Sequence, residues 1–302
     1  MADRKKKGRD ISGILILDKP LHISSNRAVQ VIKRLYGAKK VGHTGSLDPL
    51  ASGVLPICLG HATKISQYLL ASDKTYQFTM KLGQVTSTGD VEGEVVCEKP
   101  VPNIEKATLD QVIKGFVGDI QQVPPMYSAL KHEGQRLYKI ARAGGVVERP
   151  AREVTIKTLT LLSQTAESLS FEVCCTKGTY VRTLAEDIGE ALGTGAHVTF
   201  LRRIKTGPFE LSQSITIEQL ESIEGGITSF DLLLHDLGWA LLNYPVVVCT
   251  DEEKKNLCFG RPIHKEGLQK HDLIRINDAE GKIFGLGKWE EGSNLIPVRI
   301  FE

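Results

Sequence analysis

A chain of 302 residues, 41% of them hydrophobic, is long enough to fold as one large or two modest domains around a real core. No apolar run approaches the ~20 residues that span a bilayer, and Met1 to Asp10 lack a signal peptide's apolar stretch, so a cytoplasmic protein without a membrane partner is expected. Net charge is only +2, yet residues 1–64 hold 12 Lys or Arg against four Asp or Glu; this basic third points to an anionic partner, nucleic acid being the natural one.

Residues 1–10 read as a short, disordered basic arm. Ile14 to Leu17 reads as a buried strand. Ser24 or Ser25 could cap a helix whose apolar stripe is Ala28, Val31, Ile32 and Leu35, ending at Gly37. Residues 42–55 form a glycine-rich run around a single carboxylate, Asp48. Gly42, Gly45 and Gly53 free the backbone there, and Pro49 pushes Asp48 out of helical conformation. One reading is a stiff turn that presents Asp48 to a large planar substrate. The other is a helix cap with Pro49 at the first helical position. Val54 to Leu59 reads as a strand and Ala62 to Leu70 as a helix.

Tyr76, Phe78, Met80 and Leu82 alternate with Gln77, Thr79 and Lys81, the pattern of a half-buried strand. Residues 86–90 break it, and Val91 to Val96 is expected to continue the sheet. A helix over 106–117 follows. Residues 120–151, with Pro124-Pro125, a polar tip and a short helix near Leu137 to Ala143, look like an insertion able to move. Val154 to Leu162 and Leu169 to Thr176 read as paired strands. Gly178-Thr179 opens a helix with apolar positions Val181, Leu184, Ala185, Ile188 and Leu192. Arg182 falls in its first turn, where the macrodipole disfavours a cation unless an anion answers it. Val198 to Ile204 reads as a strand and Ile217 to Ile223 as an acidic helix. Residues 244–302 read as a separate unit of short strands with a basic helix around Glu252 to Leu257.

The six cysteines (58, 97, 174, 175, 249 and 258) form no Cys-x-x-Cys pair, and the histidines do not cluster with them. Reduced structural thiols, rather than a zinc site, are expected. The glycine-lysine phosphate loop, the dinucleotide fingerprint, His-Glu-x-x-His and Gly-x-Ser-x-Gly are all absent.

Gly42-His43-Thr44-Gly45-Ser46-Leu47-Asp48-Pro49-Leu50-Ala51-Ser52-Gly53-Val54-Leu55 closely resembles the active-site motif of the TruB family, the bacterial tRNA pseudouridine-55 synthases. Further blocks resemble the family in family order: Gly13 to Pro20, Lys74-Thr75-Tyr76, Pro124 to Lys131, Gly178 to Arg182, and Leu201-Arg202-Arg203. The match covers nearly the whole chain. The resemblance implies an α+β fold with a mixed, mainly antiparallel sheet, flanking helices and a central cleft. It implies a catalytic domain over 11–243, with 120–151 as a mobile thumb, and a PUA-like RNA-binding β-barrel over 244–302.

The resemblance also implies roles. Asp48 would be the catalytic carboxylate, ion-paired with Arg182. Tyr76 would stack on the target uracil and is a candidate for removing its C5 proton. Tyr180 would hydrogen-bond near the site, His43 would contact RNA and support the flipped-out nucleotide, and Leu201 would wall the uracil pocket. Lys19 and Lys64 read as surface charges or as phosphate contacts. The expected activity is isomerisation of uridine-55 in the T loop of tRNA. The base must leave its stack to reach Asp48. No cofactor is needed, because the reaction is redox-neutral. The expected partner is the tRNA T stem-loop, met by a monomer with no obligate protein partner. The rival reading is a tRNA-folding chaperone that acts by binding.

Overall fold

The computed structural model describes residues 8–267 and 270–301. Most of the expected basic arm, residues 1–7, lies outside them. Arg9 at its end pairs with Asp231. The first unit runs β1 (Gly13–Lys19), α1 (Ser25–Leu35), β2 (Val41–His43), β3 (Ala51–Leu59), α2 (Ser66–Leu70), β4 (Lys74–Leu82), β5 (Gln84–Thr86), β6 (Val95–Glu98), α3 (Lys106–Gly115), β7 (Gly118–Gln122), β8 (Lys131–His132), β9 (Gln135–Arg136), α4 (Leu137–Arg142), β10 (Arg152–Gln164), β11 (Ser168–Cys175), α5 (Val181–Ala191), β12 (Ala196–Thr206), β13 (Phe209–Glu210), α6 (Ile217–Glu221) and α7 (Ile227–Asp231). The second runs β14 (Val246–Val248), α8 (Asp251–Cys258), β15 (Ile263–His264), β16 (Ile274–Asn277), β17 (Ile283–Glu290) and β18 (Asn294–Ile300).

The fold is α+β. Its nine-stranded sheet has the order β1-β3-β12-β4-β11-β10-β7, with β2 beside β3 and β13 beside β12. The β3–β12 pair is parallel and its neighbours are antiparallel. Period-two alternation sends Leu15, Leu17, Phe78, Met80, Phe171 and Val173 to one face, into one core with Ala28 and Ile32 of α1, Leu109 of α3 and Leu184 and Ile188 of α5. The other face, at β1 and β3, carries Ile14, Ile16, Val54 and Cys58. These share a second core with Phe209, Leu241 and residues Ile283, Leu286 and Phe301 of the C-terminal unit. That unit is a five-stranded sheet of order β14-β16-β17-β18-β15, curled into a half-barrel.

Several expectations are corrected. Val29, not Val31, completes the buried stripe of α1 with Ala28 and Ile32, because the position next to Ala28 and three before Ile32 shares their face. Residues 60–70 form a 3-10 turn followed by α2, not one helix. Val91 to Val96 does not extend the main sheet. Val95 and Val96 belong to the exposed β5–β6 hairpin, at 49% and 63% exposure. The α8 helix is not basic, since Asp251, Glu252 and Glu253 fill its first turn, where they suit the dipole. Residues 118–122 pair with β10 as the edge of the main sheet, so the protruding segment begins only after Gln122.

Candidate active site

Asp48 lies on the turn between β2 and β3. No helix follows it. Ala51 N–H donates to the Asp48 carbonyl at 3.0 Å, closing a β-turn with Pro49 at its second position. The helix-cap reading is thereby excluded. The turn is pinned from α1: Leu47 N–H donates to Ser25 Oγ at 2.7 Å, and that hydroxyl donates to the Leu47 carbonyl at 3.0 Å. His22 N–H donates to the Pro49 carbonyl at 2.8 Å. Two of the motif's glycines are required by geometry. Gly45 has φ +130°, and Gly53 has φ +105° with the Arg203 carbonyl only 2.2 Å from where a Cβ would stand. Gly42, by contrast, sits in regular strand β2.

Arg182, 3% exposed, holds this carboxylate. Its Nη2 lies 3.0 Å from Asp48 Oδ2, and its Nη1 lies 3.3 Å from Asp90 Oδ2. It also donates to the carbonyls of Thr88 and Tyr127, each at 2.7 Å. Asp90 is buried as deeply as the arginine, and is fixed by Thr88 Oγ1 at 2.6 Å and Glu92 N–H at 3.0 Å. A cation in the first turn of α5 thus has two anions facing it, one sealed and one open. The Asp48 side chain is 42% exposed, so of the two carboxylates Asp48 is the accessible one. Gln122, 2% exposed, replaces a side-chain cap on α5: its amide accepts from Tyr180 N–H at 2.7 Å and donates to the Tyr180 carbonyl at 3.1 Å.

Two cavities adjoin at Asp48. The inner one, about 310 Å³, is lined by Tyr76, Tyr180, Leu201, Arg203 and Lys74 among others. The outer one, about 700 Å³, opens between the N-terminus of α1, His43 and the protruding segment, with Lys131, Arg136 and Arg142 along it. Ser46, Leu47, Asp48, Ser128, Ala129 and Arg182 border both.

Tyr76 and Arg203 are cross-strand partners. Arg203, 1% exposed, donates from Nε to the Val54 carbonyl at 2.7 Å. Burial pushes the Tyr76 phenol above its usual range against the pull of Arg203, so Tyr76 stays protonated at neutral pH. Burial likewise raises the Tyr180 phenol, with the nearby Ser128 hydroxyl and Arg182 opposing. His43 accepts at Nδ1 from Gly45 N–H at 3.2 Å, and burial, then Arg203, lowers its pKa.

Asp48, Arg182, Tyr76, Tyr180, Leu201 and His43 therefore meet around the two cavities. The two lysines do not join them. Lys19 is fully buried and donates to the carbonyls of Pro20 at 2.7 Å and Ile23 at 2.8 Å. Burial pulls its ammonium down to about 8, with Asp48 resisting. Neither surface charge nor phosphate contact describes it. Lys64 donates to the Ile300 carbonyl at 2.9 Å, at the seam with the C-terminal unit, and lines neither cavity. Sequence reasoning assigned no role to Asp90, Arg203, Gln122 or Ser128, although Arg203 and Ser128 lie in blocks that resemble the family. The one signal for Asp90 was its place at the end of a Ser/Thr/Gly run, where an acid folds back on its own turn.

The architecture is that of pseudouridine synthases. A solved structure described as "Crystal Structure of a Cbf5-Nop10-Gar1 Complex" superposes with a TM-score of 0.75 over 96% of this chain and 85% of that one, at 27% identity. Family models match in sequence order: TruB family pseudouridylate synthase (N terminal domain) over residues 33–181, tRNA pseudouridylate synthase B C-terminal domain over 182–226, and Pseudouridine synthase II TruB, C-terminal, over 245–301. The tRNA pseudouridine synthase B of Pseudomonas aeruginosa (strain UCBPP-PA14) is 49% identical, and that of Stutzerimonas stutzeri (strain A1501) 47% identical, each over 99% of both chains. The chain belongs to the TruB family.

Proposed function

We propose that this protein isomerises a uridine of tRNA to pseudouridine, at position 55 of the T loop. The observation that carries this reading is the accessible Asp48 carboxylate, held by a buried arginine where a base-sized cavity meets a larger one edged with cations. The flipped uracil enters the inner cavity and stacks on Tyr76 against Leu201, while its backbone lies along Lys131, Arg136 and Arg142.

The N1–C1′ bond breaks, the uracil turns, and C5 bonds C1′. The C5 proton leaves and N1 gains one, so the atoms balance without any co-reactant. Arg182 keeps Asp48 ionised and aimed, as a nucleophile toward C1′ or the base, or as a base toward the C2′ proton. A protonated Tyr76 serves as a stacking surface first, and as a base only if the substrate's approach lowers its pKa. The segment after Gln122 closes over the T loop, and the half-barrel gripping RNA in the manner of a PUA domain extends the footprint. These features favour catalysis over a purely chaperoning role, since RNA binding alone needs no buried Asp90–Arg182 clamp.

The test is to incubate the protein with transcribed tRNA and map pseudouridine along it. A single product at position 55 is expected. No product, or product confined to another arm, overturns the reading.

A further inference from the structure

Ser128 is 5% exposed, and its hydroxyl finds no hydrogen-bond partner among the described residues. The Tyr180 phenol is near enough to feel it, yet makes no hydrogen bond of good geometry with it. A buried hydroxyl left unpaired costs stability, so its retention at a site points to a partner that arrives later. Hydrogen bonds hold its backbone in the free protein. Ser128 N–H donates to the Met126 carbonyl at 2.9 Å, its own carbonyl accepts from Tyr138 N–H at 3.1 Å, and the preceding Tyr127 carbonyl is held by Arg182. It borders both cavities, as Asp48 and Arg182 do.

This inference rests on the function proposed above, in which the base fills the inner cavity and the backbone the outer. The group that then lies at the shared border is the ribose. Its 3′ and 5′ oxygens are phosphate esters leading outward, and its ring oxygen only accepts. The 2′-hydroxyl, on the carbon next to C1′, both donates and accepts, as a serine hydroxyl does. We propose that Ser128 hydrogen-bonds the 2′-hydroxyl of the target nucleotide, making the site selective for a ribonucleotide at that position.

The test uses the full chain, as wild type, Ser128→Ala and Ser128→Thr, with two otherwise identical tRNAs carrying uridine or 2′-deoxyuridine at the target. Kd and single-turnover rate are measured for each. Replacing uridine by deoxyuridine is expected to weaken wild-type binding roughly three- to tenfold, the value of one net hydrogen bond. Ser128→Ala should show the same loss on uridine and no further loss on deoxyuridine, and Ser128→Thr should restore the discrimination. Because the hydroxyl bonds nothing in the free protein, Ser128→Ala should melt at or above the wild-type temperature. An equal deoxyuridine penalty in wild type and Ser128→Ala overturns the proposal, as does unchanged binding of uridine tRNA by the Ala variant, or a clear fall in its melting temperature. Wild-type protein that binds the uridine tRNA but forms no pseudouridine overturns the underlying function instead, and the binding comparison still decides the contact.

Discussion

Arg182 holds one carboxylate that is exposed, Asp48, and a second that is buried and fixed, Asp90. A planar guanidinium can hold both at once; an ammonium cannot. Arg182→Lys is therefore expected to slow single-turnover pseudouridine formation by about 10² or more while changing tRNA Kd only a few-fold. A near-wild-type rate contradicts the clamp. Asp90→Ala leaves that cation buried without its sealed partner, and is expected to cost about 3–5 kcal/mol of stability, read by urea denaturation. Below Arg182 on α5, burial raises Glu186 from 4.5 to about 7, with Arg182 opposing, and raises Asp187 from 3.8 to about 6. Folded pKa values above the unfolded ones mean that the stabilising protonated forms are complete below the unfolded values and are lost as pH rises through the folded ones. Melting temperature should fall between about pH 4 and pH 7, and Glu186→Gln should flatten much of that slope; an identical slope in the variant assigns the pH dependence elsewhere. Asp48 was legible through the resemblance of its motif, since local rules equally allowed a helix cap there, whereas Arg182 stood out as a cation at a helix start. Asp90 breaks no local rule, and the burial of Lys19 depends on how the loop after β1 folds back, which no local pattern encodes.

At the scale of elements, the alternating strands and amphipathic helices could be read directly, since their periods match the faces they bury. Residues 118–122 could not, because a sheet edge buries too little to impose alternation. The β5–β6 hairpin misled in the opposite direction, its valines standing in solvent. The segment after Gln122 combines both cases. Its proline pair and polar tip were plain in sequence, but not its seat on Arg182 through the Tyr127 carbonyl. Leu137 is buried, while β8 and β9 are exposed. Amides of residues 131–145 are expected to exchange quickly in the free protein and to become protected with tRNA bound. Equal, slow exchange in both states makes the segment a rigid part of the fold.

Across the whole molecule, the half-barrel shares a core with the back of the catalytic sheet. Ending the chain at residue 244 removes Ile283, Leu286 and Phe301 from that core, each worth roughly 1.5–3 kcal/mol of burial. The shortened protein is expected to melt several degrees lower even without RNA, and an unchanged melting temperature means that the units are independent. The basic third seen in sequence is partly spent internally: Arg9 pairs with Asp231, Lys39 with Asp10, and Lys19 is buried. Lys131, Arg136 and Arg142, far along the chain, line the outer cavity instead, and only the fold brings them there. Binding of tRNA should weaken steeply with salt, and Arg136→Ala should lower the slope by about one phosphate contact; an unchanged slope places the RNA elsewhere.

All of this turns on one carboxylate oxygen pair. Asp48→Asn keeps the shape of the turn and removes the negative charge. Measured side by side on transcribed tRNA, the variant is expected to bind within a few-fold of wild type and to form pseudouridine at least about 10³-fold more slowly under single-turnover conditions. Substantial pseudouridine formation by the pure Asn variant would contradict the assignment of Asp48 as the group that does the chemistry.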